Sequence, residues 1–395
     1  MVPRRRYDVI VAGARCAGAS TAMLLARRGL QVLVVDPARY GSDTLSTHAL
    51  MRGGVLQLHR WGLLDAIRAS DTPRIRTTTF HYGTESIEVA IRERDGIDAL
   101  YAPRRTVLDP LLVDAASTAG AHIVHRHAVV DLKRGPDGRI RGASIAGADR
   151  RAIEVDASLV IGADGIHSRV ARLLGADIDH AAAHASAAIY GHWRGVGMDG
   201  YHWFYEPGVS VGCIPTNDGE TCVFVSLPRH RFENERDRGL ETLYLDALRH
   251  CSRELDRAVR ESDGPGKLRA FAGEPGFLRR SAGPGWALVG DAGYFRDPIT
   301  AHGITDALRD AELLARAILE GADSAIANYQ AQRDALVRPL LDVTDRISSF
   351  EWELDEVRDL HLALSREMKN EVDLLLTLDS AFAGTTRVAS RSPAP

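Results

Sequence analysis

Residues 7 to 12, Tyr-Asp-Val-Ile-Val-Ala, form a short apolar run of strand type that stops at Gly13. Ala-Arg-Cys-Ala and Gly18 follow, and then a segment rich in alanine and leucine that Gly29 closes. This order reads as strand, glycine turn, helix and C-cap. A second apolar run, Val32-Leu-Val-Val35, ends in Asp36, eighteen positions after Gly18. Together they spell the βαβ fingerprint of dinucleotide binding, with an acid in place for a ribose. The residue types follow from that chemistry. Gly13 permits the tight turn, Gly18 lets the helix close on the strand, and the free amides at the helix start receive a pyrophosphate. Asp36 accepts hydrogen bonds from ribose hydroxyls.

The fingerprint departs from its pattern at Arg15, which stands where a bare backbone normally approaches the pyrophosphate. Two readings stay open: the side chain points to solvent and is merely tolerated, or its guanidinium reaches the diphosphate or the rest of the cofactor. A second G-x-G-x-x-G, Gly195 to Gly200, precedes the aromatic run Tyr201-His-Trp-Phe-Tyr205. That run has strand rather than helix character, so no helix N-terminus is there to hold a phosphate. It reads as a turn between strands.

With 395 residues, 45% apolar and 26% charged, the chain can bury a large core and by length spans two or three domains. A formal net charge of -4 supplies no general pull toward nucleic acid or an anionic membrane. No segment approaches the roughly 18 to 20 apolar residues of a membrane span, and Arg4-Arg5-Arg6 reads as a solvated tail ahead of the first strand. The four cysteines are scattered without metal-binding or redox spacing. These features predict a reduced, cytoplasmic protein that works on a small molecule, and no metal-ligand set is read.

Two further motifs follow. Leu159-Val-Ile-Gly-Ala-Asp164-Gly165 is a buried strand turning into an amphipathic helix, and Trp286-Ala-Leu-Val-Gly290-Asp291 leads through Pro298 and His302-Gly303 into a long helix. In this order, after a βαβ fingerprint, they resemble the para-hydroxybenzoate hydroxylase-fold flavoprotein monooxygenases, a superfamily that includes geranylgeranyl reductases and flavin-dependent halogenases. The resemblance covers roughly residues 7 to 340, discontinuously. It implies an α/β fold: a Rossmann-type, glutathione reductase-like FAD-binding domain with an inserted strand-rich substrate domain and a C-terminal helical region. It also implies that FAD contacts come from Gly13, Ala14, Arg15, Ala17, Gly18, Asp36, Pro37, Arg105, Val129, Asp164, Gly165, Gly290, Asp291, Pro298, Gly303 and Ile304. Asp291 would hold a ribityl hydroxyl, and the helix starting near Gly303 would aim its positive end at the flavin. In the family's P-x-x-G-Q-G-x-N segment, Ala301, His302 and Thr305 here replace Gly, Gln and Asn.

Residues 1–72, 102–180 and 281–340 are assigned to the FAD-binding domain, and 73–101 and 181–280 to the substrate domain. Residues 341–383 form a helical region with a break expected near Pro339, and 384–395 a disordered tail. Alternation over Phe80 to Ile91, and over Val209 to Val225 around Asn217-Asp-Gly219, predicts hairpins. Arg236 to Arg260 reads as one amphipathic helix. Tyr190, Trp193, Tyr201, Trp203, Phe204 and Tyr205 either line a pocket or pack the sheet. The polar loop Ser42 to Gly54 should lie near the flavin ring, which makes His48 a candidate catalytic residue or a histidine bonded to local backbone. His302 either faces the ring or holds its turn. The implied function is FAD-dependent hydroxylation or epoxidation of a hydrophobic aromatic, polyketide or isoprenoid compound. NAD(P)H, or a separate flavin reductase, supplies the electrons. Reduction of a carbon-carbon double bond is the alternative, followed by a non-catalytic binding protein on the same fold. No nucleic-acid partner is expected, and no oligomeric state is read.

Overall fold

The computed structural model of the protein describes residues 6–378 and Phe382, so Arg4, Arg5 and the 384–395 tail lie outside the described residues. The fingerprint folds as its pattern requires: β1 (Arg6–Ala12), α1 (Cys16–Arg27) and β2 (Val32–Asp36). β1 pairs in parallel with β2 on one side and with the strand Ala152–Gly162 on the other. His122–His125 and Trp286–Leu288 extend the parallel sheet at its two ends. A hairpin, Ala128–Arg134 with Ile140–Ala146, continues from the first half of Ala152–Gly162. The three motifs therefore end on adjacent parallel strands, and their turns gather at one end of the sheet, where a doubly wound fold binds its ligand.

Every residue of α1 except Arg27 is buried. It lies between the sheet and the helices Arg105–Thr118 and Gly303–Glu320. This explains its small side chains, with Met23, Leu24 and Leu25 filling the wider gaps at about 1.5–3 kcal/mol each. Its start is pressed harder still. A β-carbon on Gly13, whose φ is +105°, would lie 2.2 Å from the Ala163 carbonyl oxygen, and one on Gly18 would lie 2.0 Å from that of Gly13.

A second, seven-stranded sheet has the order Arg269–Phe271, Ser186–Arg194, Glu220–Pro228, Val209–Pro215, Tyr201–Glu206, Thr77–Tyr82 and Glu85–Ala90. Segments far apart in the chain thus share one sheet, and both expected hairpins form. Period-two alternation sorts its aromatics by face. Phe204 packs with Val209, Val211 and Val223 against the helix Leu240–Cys251, and Trp193 stacks there on Tyr244. Tyr190, Tyr201, Trp203 and Tyr205 turn to the other face and join the core of the nucleotide unit. For Trp193 and Phe204 the packing reading therefore holds.

Two expectations are corrected. Arg236–Arg260 is not one helix, because Gly239 at φ +91° and the extended Ser252 divide it, and the Ser252 hydroxyl caps the next segment at Leu255 N–H, 3.2 Å away. The helix Asp323–Ser348 runs unbroken through Pro339, and the chain breaks instead before Leu354–Thr377, with Phe350 at φ +57°. Proline removes one hydrogen bond, but buried Val337, Leu340 and Leu341 hold the turn around it in place. No helix among the described residues is long and apolar enough to cross a membrane.

The close approach at Gly18 has a measurable consequence. Gly18→Ala should cost about 2–3 kcal/mol of unfolding free energy in urea, since the facing atom is backbone. Gly303→Ala, where a β-carbon meets nothing within 4 Å, should cost nothing. Equal stabilities for the two variants would contradict the packing described.

Candidate active site

The α1 N-terminus has no side-chain cap and no acid in its first turn. Its free amides are thus available to an anion, and the positive end of the helix dipole favours one. Asp36 sits 22 positions from Ala14 yet accepts its N–H at 2.7 Å, and its second oxygen accepts from Ala38 N–H at 2.7 Å. One lone pair on each oxygen is left for a hydroxyl. Asp36, Ala14, Arg15, Arg39, Ser42 and His125 line a cleft that opens here. Pro37 is exposed beside it. The Val129 side chain packs in the core with Val35, which leaves only its main chain for a ligand.

Arg15 adopts neither of its two expected poses outright. It is a third exposed, and its Nη1 donates to Asp109 at 3.2 Å, 94 positions away. Asp109 also receives both Nε and Nη2 of Arg105 and the Cys16 thiol. The structure separates the two neighbouring arginines: Arg105 is buried on Asp109, while Arg104 turns to Glu220 at 2.6 Å. Asp109 was missed in the sequence, although it stands four residues after Arg105 on one helix, the spacing of an ion pair.

The turn Gly290–Ala292 presses on both helices, since a β-carbon on Gly290 would meet Ala17 at 2.8 Å and Ala307 at 3.7 Å. The starts of α1 and of Gly303–Glu320 therefore converge beside Asp291. Asp291 accepts no hydrogen bond among the described residues. Burial raises its carboxyl to about 7, with Asp306 adding to the rise and Arg105 opposing it. The turn Pro298–Thr300 enters the second helix through Ala301 at φ +50°, the left-handed conformation that explains a glycine at this place in the family pattern. His302 is the N-cap but supplies no side-chain cap, Gly303 faces open space, and Ile304 is buried. Asp164 is already occupied: it accepts from Ser168 Oγ and from Arg169 and Val170 N–H, capping the helix Arg169–Leu174. Gly165 stands open at φ +81°.

His302, Asp306 and Glu371 come together with ligand atoms within 4.8 Å. Cations already neutralise them. Arg309 bonds Asp306 and Glu371 at 2.5 and 2.6 Å, Arg296 bonds Asp306 at 2.9 Å, and His302 Nε2 bonds Glu371 at 2.7 Å, all buried. Two guanidiniums occupy the charge that a metal would need, so we read an ion network tying the helix start to Leu354–Thr377.

The loop after β2 lies between that helix start and the seven-stranded sheet. Met51 N–H donates to Thr305 Oγ1 at 3.2 Å, and Ser46 N–H donates to the Tyr190 hydroxyl at 3.1 Å. Between these anchors His48 is buried, with φ +67°, and its Nε2 lies 3.1 Å from Nε2 of His192. His192 carried no signal in the sequence, where it is one alternate residue of a strand. Arg269, which pairs with Asp43 at 2.8 Å, and Arg104 border the two rings.

The features present fit a dinucleotide: two uncapped helix starts, a glycine cradle, Asp36 on an open cleft beside one start and Asp291 beside the turn where the two starts converge. Comparison with known proteins agrees. The model of the FAD binding domain family matches residues 6–344. The chain is 28% identical over 330 residues to the digeranylgeranylglycerophospholipid reductase of Methanosarcina mazei, covering 80% of this chain and 75% of that one. It is 24% identical over 341 residues to squalene epoxidase of Schizosaccharomyces pombe, covering 82% and 71%. A triple mutant of the flavin-dependent brominase Bmp2 shares the fold, with a TM-score of 0.77 and 19% identity over 96% of each chain.

Asp291 yields a prediction for the ligand-free protein. Its folded pKa of about 7 lies above the unfolded value of about 4, so the folded state holds the extra proton and stability falls as pH rises between the two. Asp291→Asn should remove this loss, leaving the variant more stable than the parent at pH 8 by an amount on the order of 1–3 kcal/mol, with little difference at pH 4. Urea unfolding across this range checks it; parallel curves for the two proteins would count against a raised Asp291 carboxyl.

Proposed function

The chain belongs to the FAD binding domain family, and from that premise we propose that it is an FAD-dependent monooxygenase of a hydrophobic small molecule, drawing electrons from NAD(P)H. The observation that carries the reading is the convergence of two uncapped helix starts on Asp291, which accepts no hydrogen bond among the described residues, with Asp36 lining the cleft beside the α1 start. When bound, FAD supplies two-electron storage and, once reduced, reactivity toward dioxygen. The residues supply positions and charge. We assign the diphosphate to the α1 amides and Gly13 to Gly18, the adenosine ribose to Asp36, and the ribityl chain to Asp291 with Gly290. The start of Gly303–Glu320 would face the pyrimidine edge of the ring, where its dipole favours negative charge.

His48 is the candidate catalytic residue. His302, with Nε2 committed to Glu371, holds its turn. Tyr190, Trp203 and Tyr205 give the sheet face toward the nucleotide unit an apolar character. The four cysteines are free, which supports a reducing, cytoplasmic setting. A separate flavin reductase is the alternative electron source. The second reading, reduction of a carbon-carbon double bond, is favoured by the likeness to a protein named as a reductase of a digeranylgeranyl lipid.

Anaerobic reduction by NADH or NADPH, then exposure to dioxygen with phenolic, polyketide and isoprenoid compounds, separates the readings. Oxygenated product is expected; product reduced without dioxygen would move the assignment to the second reading. Asp36→Ala and Asp291→Ala should each weaken FAD binding about tenfold, the loss of one hydrogen bond to a charged acceptor. Unchanged dissociation constants in both would remove these residues from the site. Arg15→Gly should lower FAD affinity at low salt and by less at high salt, because a part-exposed charge contact is screened. An identical salt dependence in variant and parent would reduce Arg15 to its contact with Asp109.

A further inference from the structure

We propose that His48 and His192 form a two-imidazole relay that delivers one proton from the solvent side of the sheet to the reacting atoms, an assignment that rests on the flavin-site reading above. The two rings come from independent elements, the 42–51 loop and the strand Ser186–Arg194, 144 positions apart. Their Nε2 atoms lie 3.1 Å apart and the rings stack at 5.2 Å and 27°. Two nitrogen lone pairs at that distance repel, so one proton must lie between them.

The backbone holds His48 there against its preference. A left-handed φ of +67° is unfavourable for a residue with a β-carbon. Bonds from His48 N–H to Ser46 Oγ, and from Ser46 N–H to the Tyr190 hydroxyl, sustain it. Strain of this kind gathers at functional sites. His48 Nδ1 is buried and has no hydrogen-bond partner among the described residues, a condition that normally calls for one. Three residues on, Met51 touches Thr305 in the first turn of the helix that would face the flavin. His192 is only half-buried, which leaves the relay an outer end.

The surroundings keep both rings neutral and able to pass a proton. Burial holds His48 well below its ordinary pKa, with His192, Arg104, Arg105 and Arg269 adding to the effect. Burial and Arg104, against Asp43, lower His192 to about 4. With one proton shared between the Nε2 atoms, the neutral pair carries its second proton on an Nδ1. In the donating state His192 Nε2–H donates to His48 Nε2, and His48 Nδ1 holds the other proton.

Oxygen insertion consumes substrate, dioxygen, NAD(P)H and one proton, and gives oxygenated product, water and NAD(P)+. Double-bond reduction consumes substrate, NAD(P)H and one proton, and gives reduced product and NAD(P)+. Either way one proton must enter the site. In the relay the Nδ1–H bond of His48 breaks as its proton passes to a basic atom of the bound reactants. The Nε2 proton of His192 moves to His48 Nε2, and His192 Nδ1 takes a proton from water. Charge and proton count balance, and the return of the tautomers resets the pair.

The test uses the full chain with histidine labelled with nitrogen-15. In the parent, one pair of imidazoles should show scalar coupling across an N–H···N bond, with His48 protonated at Nδ1; His192→Phe should abolish the coupling while FAD still binds. Photoreduced holoenzyme mixed with dioxygen takes up one proton on reoxidation. His192→Phe and His192→Ala should slow this at least about tenfold, as loss of a general acid does, and added imidazole should restore the alanine variant alone. A parental reoxidation rate in both variants, or no shared proton in the parent, overturns the relay. Failure of the parent to bind FAD at all would instead defeat the flavin-site reading, whatever the histidine spectra show.

Discussion

The close approach of α1 to β1 is the constraint on which the rest depends. Gly18 lies so near the Gly13 carbonyl, and Gly13 so near Ala163, that no side chain fits at either. The helix start is thereby fixed against the ends of β1 and Ala152–Gly162, and its amides all open toward one place. Because α1 is also covered by Gly303–Glu320, the second helix start is carried to the same place through Gly290 and Ala17. A steric fact at two glycines sets where both dipoles point.

A chain of buried charges keeps the covering helices in register. Glu312 is wholly buried and accepts from Gln57, Arg60, Trp61 and Arg316, while Arg60 also bonds the carbonyls of Leu375 and Leu378. Glu371 binds Arg309 and His302 from the C-terminal helix. Such networks add little net stability compared with apolar packing, but leaving one member unpaired is costly. Their effect is to allow one arrangement of Arg52–Arg60, Gly303–Glu320 and Leu354–Thr377 and to penalise shifted ones. The helix start beside Asp291 is fixed as a result.

The seven-stranded sheet completes the site from the opposite side. Its two faces have different tasks: one is covered by the helices between Leu240 and Glu261, and the other brings Tyr190 and His192 against the 42–51 loop. Chemistry that involves that loop therefore draws on two sheets. Neither one alone presents both imidazoles.

The local patterns were legible from the sequence because their causes are local. A glycine that tolerates φ +105°, an apolar run of strand length and an acid at a strand end need no distant partner to be recognised, so β1, α1, β2, Asp36 and the turns at Gly290 and Gly303 could be read directly. The order of the three motifs carried the resemblance to a Rossmann-type FAD-binding fold, while the structure places their strands side by side. Reading failed where packing overrides propensity, as at Pro339, whose helix is held by its buried neighbours, and at Ser252, whose capping role competes with the helical period. Side-chain partners were decided by tertiary structure alone. Arg15 meets Asp109 across 94 positions, His302 meets Glu371 across 69 and His48 meets His192 across 144. No periodicity links residues so far apart in the chain; they meet because the sheets and helices that carry them close on one another, and burial then selects which charges and ring nitrogens must pair.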